Sequence, residues 1–215
     1  MTGTLAFDHA EIEGSIIARW QRVIDHFPQE IAVTTSSGEQ YTYAEIDQAS
    51  NCLAHALLAE FGEVNCPIIL LLDHSYRLFV SILGIIKANK AYVALDPTQV
   101  IGHLQLFSQT ATAPVIVTNS AYKHIAQAIA MSGEQIWLIE SLPTTEGKSP
   151  DVVTWPDAIA SIVFTSGTTK QPKGAPYTHR MILHRAWFET CTNHFGPSHC
   201  ISGISQCGVA SGGHF

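Results

Sequence analysis

The stretch Phe164-Thr165-Ser166-Gly167-Thr168-Thr169-Lys170-Gln171-Pro172-Lys173-Gly174 places four hydroxyl side chains, two lysines and two glycines directly after an apolar run, Ala158 to Phe164. Small residues leaving a buried strand present consecutive backbone N–H groups. With hydroxyl donors and ammonium charge added, that donor set suits a polyphosphate. Gly167 lets the backbone approach phosphate oxygens with no side chain between them, and Lys173 supplies local counter-charge. The same composition also describes an ordinary polar turn in which Thr and Gly serve conformation only. A Walker A loop is disfavoured by spacing. Counted from Gly167, Pro172 stands where glycine should precede the lysine, and Gly174 where Ser or Thr should follow it.

Local counter-charge matters because the 215-residue chain carries 11 Lys+Arg against 18 Asp+Glu, a net charge of −7 with histidine neutral. That balance excludes broad attraction to nucleic acid or to an anionic membrane, so an anionic ligand must be held by a local arrangement. Charged residues are 13% of the chain, about half the usual share, which argues against disorder and against a coiled coil. No basic, apolar leader precedes the five cysteines, so reduced thiols and a cytoplasmic location are expected. Pro97–Tyr122 and Thr190–Phe215 lack Asp, Glu, Lys and Arg, but His, Gln, Asn, Ser and Pro interrupt both, so no membrane span is expected.

The elements that position this stretch follow from hydrophobic periodicity. Ile12, Ile16, Ile17, Trp20, Val23, Ile24 and Phe27 fall at helical spacing and Pro28 closes them. Ile31–Thr34 and Glu39–Tyr41 flank Ser36-Ser37-Gly38 as a hairpin. Thr42 with Glu45 makes a capping box, and Tyr41 with Ile46 a hydrophobic staple, ahead of a stripe at Ile46, Ala49, Leu53, Ala56 and Leu57. Pro67–Leu72 reads as a fully buried strand. Leu78–Ile86 reads as a helix whose Lys87 suits the negative helix end and whose Asn89 tolerates a left-handed stop. A strand at Tyr92–Leu95, a helix around 99–110, a strand at Val115–Val117, a helix around 121–130 and a strand at Ile136–Ile139 follow. A polar connection, Ser141–Pro156, then leads to the strand Ala158–Phe164. This alternation predicts an α/β fold of mostly parallel sheets flanked by helices. The last twenty residues are glycine-rich with little periodicity, and the ending at Phe215 reads as a cut.

Thr165 to Gly174 resembles the phosphate-loop signature of the adenylate-forming (AMP-binding) superfamily, Thr-Ser-Gly-Thr/Ser-Thr-Gly-x-Pro-Lys-Gly, agreeing at nine of its ten positions. That superfamily comprises acyl- and aryl-CoA synthetases, luciferases and the adenylation domains of nonribosomal peptide synthetases. Upstream, Tyr41-Thr42-Tyr43-Ala44-Glu45-Ile46 resembles the family's LTYxEL, and Gly84 to Pro97 resembles GxLKAGAAYVPLDP. Phe27 to Val33 fits its opening strand. The resemblance covers about residues 11–185 and implies that 1–215 is the N-terminal subdomain part of an adenylate-forming enzyme, truncated, with its phosphate loop at 165–174 and the C-terminal domain absent.

By that resemblance, a carboxylic acid (acyl, aryl or amino acid) is joined to ATP with Mg²⁺ as acyl-AMP, and pyrophosphate is released. The acyl group then passes to coenzyme A or to a carrier-protein phosphopantetheine. Thr165, Ser166, Gly167, Thr168, Thr169, Lys173 and Gly174 are implied to embrace the β- and γ-phosphates, by positioning and charge neutralisation rather than as nucleophiles. No catalytic residue and no metal ligand is implied within the chain. The family's adenine segment, ribose-binding aspartate, hinge and catalytic lysine lie beyond residue 215, so 1–215 alone is expected not to complete adenylation. The alternatives are a non-catalytic remnant acting as a binding or interaction module, and a separate polypeptide whose active site is completed in trans. Cys191, His194, His199, Cys200, Cys207 and His214 match no ordinary zinc spacing. His179 matches a histidine common after the family's loop and is read as fixing the loop's exit.

Lys170 departs from the pattern, occupying the usual glycine position; where positive φ is required there, a lysine costs about 1–2 kcal/mol. In a full-length context, Lys170→Gly is expected to leave ATP affinity undiminished in a calorimetric titration. A clear loss would make Lys170 itself a phosphate ligand.

Overall fold

The computed structural model describes residues 5–131, 133–143, 147–165 and 172–193. Two caps divide what periodicity reads as one N-terminal helix. Asp8 opens a 3₁₀ turn, His9–Glu13, through a capping box with Glu11, and the Ser15 hydroxyl accepts from the Ala18 N–H to open α1 (Ile16–His26). Gly14 and Ser15 between them are extended, so the apolar spacing continues while the helix starts anew. The expected hairpin forms from β1 (Ile31–Thr34) and β2 (Gln40–Thr42), antiparallel around Gly38 at φ 87°. The capping box at Thr42 closes in both directions. Glu45 N–H donates to Thr42 Oγ1 at 3.2 Å, and Thr42 N–H donates to the Glu45 carboxylate at 2.7 Å. It starts α2 (Tyr43–Phe61), with Tyr41 packed on the buried Ile46 as a staple should be.

The main sheet comprises β3 (Pro67–Leu71), β4 (Ala91–Leu95), β5 (Val115–Thr118), β6 (Gln135–Leu138), β7 (Ile159–Thr165) and β8 (Lys173–Thr178), in the order β6-β5-β3-β4-β7-β8. Every neighbouring pair is parallel except β7–β8. Between strands run α3 (Tyr76–Lys87), α4 (Ile101–Ala111) and α5 (Lys123–Ile129), and α6 (His179–Asn193) follows β8. The period of two along β3 divides the core between two faces. Ile68, Leu70 and Leu72 pack with α2 and α3, whereas Ile69 and Leu71 pack with α4 and α5. A mostly parallel sheet covered on both faces is what the strand–helix alternation predicts. Strand β8 is not foreseen by periodicity, because Lys173-Gly174-Ala175-Pro176-Tyr177-Thr178 has no apolar alternation. Its Pro176 is tolerated on a strand that lies at the edge of the described sheet.

The upstream signature, Gly84 to Pro97, acts in packing. A Cβ on Gly84 would lie 2.8 Å from the Ser50 carbonyl oxygen and 3.0 Å from Leu53 Cβ, so only glycine lets α3 approach α2 this closely. Asn89 adopts φ 54°, the left-handed stop its type predicts. Lys90 turns inward and donates to the Gly62 and Val64 carbonyls at 2.5 and 2.6 Å, satisfying the C-terminal end of α2. Lys87 corrects the sequence reading. It does not answer its own helix end at the surface but is buried against α2, where its Nζ donates to Asp47 Oδ1 (2.6 Å), Ser50 Oγ (2.8 Å) and Asn51 Oδ1 (2.5 Å). Burial pulls its pKa below the usual lysine value and the Asp47 carboxylate works against that. Asp47 also accepts from Trp20 Nε1 at 2.7 Å, tying α1 into the same cluster.

Removing one partner of a buried ion pair leaves the other uncompensated. Lys87→Met is therefore expected to lower stability by about 3 kcal/mol, read from urea denaturation. A loss under about 0.5 kcal/mol, the scatter of ordinary surface substitutions, would mean that the cluster contributes nothing.

Candidate functional site

Strand β7 runs parallel to β4, with Tyr92 opposite Ser161, so its carboxyl end opens on the same side of the sheet as those of β3, β4, β5 and β6. Open α/β sheets place their ligand sites at this side. Strand β8 returns antiparallel with Thr165 opposite Lys173 and Phe164 opposite Gly174. The sequence reading assigns 165–174 to a loop. The structure instead makes Thr165 the last residue of β7 and Lys173 and Gly174 the first two of β8, so a hairpin connection of 166–172 remains. Ser166, Gly167, Thr168 and Thr169 lie outside the described residues, as does Lys170. Of the implied phosphate ligands, the fold thus brings Thr165 and Lys173 directly together across the mouth of the hairpin. Lys173 is exposed and makes no ion pair among the described residues.

Gly174 works through what it lacks. A Cβ there would lie 2.8 Å from Ile162 Cγ2 and 3.3 Å from Phe164 Cε1, so the bare backbone is the floor on which both side chains sit. The Phe164 ring is buried and stacks on Phe107 of α4, with centroids 5.1 Å apart and planes at 18°. The hairpin base is therefore keyed into the core on the α4–α5 face. This packing role had a local signal, a glycine paired across a hairpin from an aromatic residue, but only the register reveals it.

The hairpin leads straight into α6, whose first residue is His179. That side chain is 1% exposed, and its Nδ1 accepts the Ile16 N–H of α1 at 3.2 Å. Burial pulls the imidazole down to about pKa 4, so it is neutral at pH 7 with its proton on Nε2. The His179 N–H donates to the Ala158 carbonyl at 3.1 Å, and the Arg180 N–H to that of Pro156 at 2.8 Å. The Arg180 guanidinium pairs with Asp157 at 2.8 Å and also with Glu13. His179 is thus a buried anchor at the exit of the hairpin, and its partner 163 residues away leaves no trace in the local sequence.

Other candidates do not assemble into a site. Among the described residues no group of three His, Cys, Asp or Glu could hold a metal ion. Cys191 is exposed on α6, and the remaining Cys and His of that suggested cluster lie outside the described residues. An open groove of about 550 Å³, lined by Ala56, Glu60, Lys123, Trp137 and Leu142, runs along β6 at the opposite edge of the sheet from the hairpin. Among the described residues no helix is long and apolar enough to cross a membrane.

This architecture is that of the N-terminal subdomain of adenylate-forming enzymes. The crystal structure of VinN superposes with a TM-score of 0.77 at 18% identity, covering 85% of this chain and 50% of that one. ATP-bound MatB from Rhodopseudomonas palustris gives 0.66 at 21% identity, covering 80% and 37%. A family model described as AMP-binding enzyme matches residues 20–208, and the chain belongs to that family. Nonribosomal peptide synthetase 5 of Gibberella zeae is 31% identical over 175 residues, 79% of this chain and 2% of that protein. The chain spans 2–16% of the length of the curated relatives it matches.

The Gly174 packing yields a paired prediction. Gly174→Ala is expected to lower stability by about 1–3 kcal/mol through overpacking. Gly102→Ala, on α4 where a Cβ meets nothing within 4 Å, should raise it by up to about 1 kcal/mol. Thermal unfolding of the two variants checks this, and equal shifts would remove the packing explanation.

Proposed function

We propose that this chain is the phosphate-gripping part of an adenylate-forming ligase. In the whole enzyme a carboxylate oxygen attacks the α-phosphorus of ATP in line, the bond to the bridging oxygen breaks, and pyrophosphate leaves as acyl-AMP forms. A thiol then displaces AMP. The observation that supports this best is Lys173 opposite Thr165 at the carboxyl end of β7, on the ligand side of the sheet, in a chain whose family match runs from 20 to 208.

The chemistry needs positioning and charge neutralisation. As the bond breaks, negative charge gathers on the β- and γ-phosphate oxygens, and donors already in place stabilise it without reorganising. Lys173 supplies the ammonium, and Thr165, Ser166, Thr168 and Thr169 the hydroxyls. Gly167 permits close approach of backbone N–H groups, and Gly174 keeps the base of the hairpin rigid. No residue of the stretch acts as a nucleophile. Mg²⁺ fits as a companion of the nucleotide, since it is commonly held through phosphate oxygens with only one or two protein carboxylates, and it would offset the same charge.

The peptide-synthetase relatives support an amino acid as the substrate and a carrier-bound phosphopantetheine as the thiol, with coenzyme A the counterpart in the synthetase branch. On this reading residues 1–215 bind ATP, and turnover needs the rest of the enzyme. The exposed Trp155, Met181 and Phe188 favour a second reading as well, in which another polypeptide covers them and completes the enzyme in trans.

Calorimetric titration with MgATP and with inorganic tripolyphosphate tests the proposal. Both should bind, and Lys173→Ala should weaken each by about tenfold, or ~1.4 kcal/mol. Unchanged affinity in that variant, or acid-dependent pyrophosphate exchange by the chain alone, contradicts the assignment.

A further inference from the structure

The N-terminal segment crosses the molecule to grip the far end of the hairpin. Strand β8 ends at Thr178 and α6 begins at His179, with no residue between them. Three side-chain contacts join that strand–helix unit to residues 9–16. Ile16 N–H donates to His179 Nδ1 at 3.2 Å, Glu13 pairs with Arg180, and His9 meets the edge of Trp187 at 4.7 Å between centroids. The same Arg180 holds Asp157, while His179 N–H holds the Ala158 carbonyl just before β7. Both strands of the hairpin are therefore secured at the end remote from the connection 166–172.

We infer that residues 8–16 form a proton-released clasp on the β7–β8 hairpin, closed while His179 Nδ1 accepts the Ile16 N–H and opened when a proton on Nδ1 ends that bond. A protonated Nδ1 sets a donor against a donor at a part-buried contact on a buried imidazole. Among the described residues, the carboxylates on the adjoining elements that could receive the new charge are already paired. Glu13 and Asp157 are engaged by Arg180, and Glu11 by Arg19 and Arg22. Arg180, next in sequence, adds repulsion. The further titratable groups on the elements packed here are His9 and His184, both beside Trp187, Asp25 and His26 on α1, Lys173 and Tyr177 on β8, and Arg185, Glu189 and Cys191 on α6.

The sign follows from burial. His179 is held at about 4 in the closed state, whereas in water an imidazole titrates near 6.5. The closed state is fully favoured above pH 6.5 and loses ground as pH falls toward 4. Between pH 7 and pH 5 the opening equilibrium should become roughly 20-fold more favourable.

Amide hydrogen exchange on the whole chain, corrected for intrinsic rates, reads this without any nucleotide, so its outcome is independent of phosphate binding. Protection of Ile159–Phe164 and Gly174–Thr178 should fall at least tenfold from pH 7 to pH 5, with β3, β4 and β5 unchanged. His179→Asn, whose Oδ1 accepts without titrating, should keep the hairpin protected at both pH values. Ile16→Pro removes the donor, together with a half-buried isoleucine side chain, at a first-turn position where proline is tolerated, after a Ser15 already extended. It should expose the hairpin at pH 7. The inference fails if the wild-type profile is flat, if His179→Asn falls as far as wild type, if Ile16→Pro stays protected, or if Ile16→Pro loses β3–β5 protection as well.

Discussion

The absence of a side chain at Gly174 is the constraint on which the candidate site depends. Phe164 must lie in the core against Phe107, because it closes the α4 face of the sheet. Its ring then occupies the space where a Cβ on the paired strand would stand. Only with that space free does β8 sit flat on β7, and only then does Lys173 come level with Thr165. A connection rich in small hydroxyl residues would be an ordinary turn if its ends were free to wander. Here the ends are fixed by core packing, which is the precondition for holding donors where charge develops.

Charge is distributed to the same end. An acidic chain has few cations, and several of them are engaged internally. Lys87 is buried against α2, Lys90 on the Gly62 and Val64 carbonyls beyond its end, Arg19 and Arg22 answer Glu11, and Arg180 joins Glu13 to Asp157. Lys173 is an exposed ammonium with no ion pair among the described residues.

The N-terminal segment gives the hairpin its second support. Without the Ile16–His179 and Glu13–Arg180 contacts, the β7–β8 pair would be held through Phe164, the pairing of Tyr92 with Ser161 and the bonds from residues 156–158. Among the described residues the six-stranded sheet is packed on both faces.

Much of this was legible in the residues themselves. The Thr42 capping box, the stop at Asn89, the buried strand Pro67–Leu71 and the strand–helix alternation each arise from interactions between near neighbours or from a period of two or 3.6, and each forms as expected. The polar stretch after Phe164 was identifiable for the same reason, since its donors are consecutive. What sequence could not decide was whatever depended on a partner distant in the chain. The burial of Lys87 on Asp47, the strand character of Lys173 and Gly174, and the His179–Ile16 bond all follow from which surfaces meet. Local propensity fixes the elements because it acts within a few residues; packing alone chooses which side chain stands opposite which, and here that choice sets Lys173 across from Thr165.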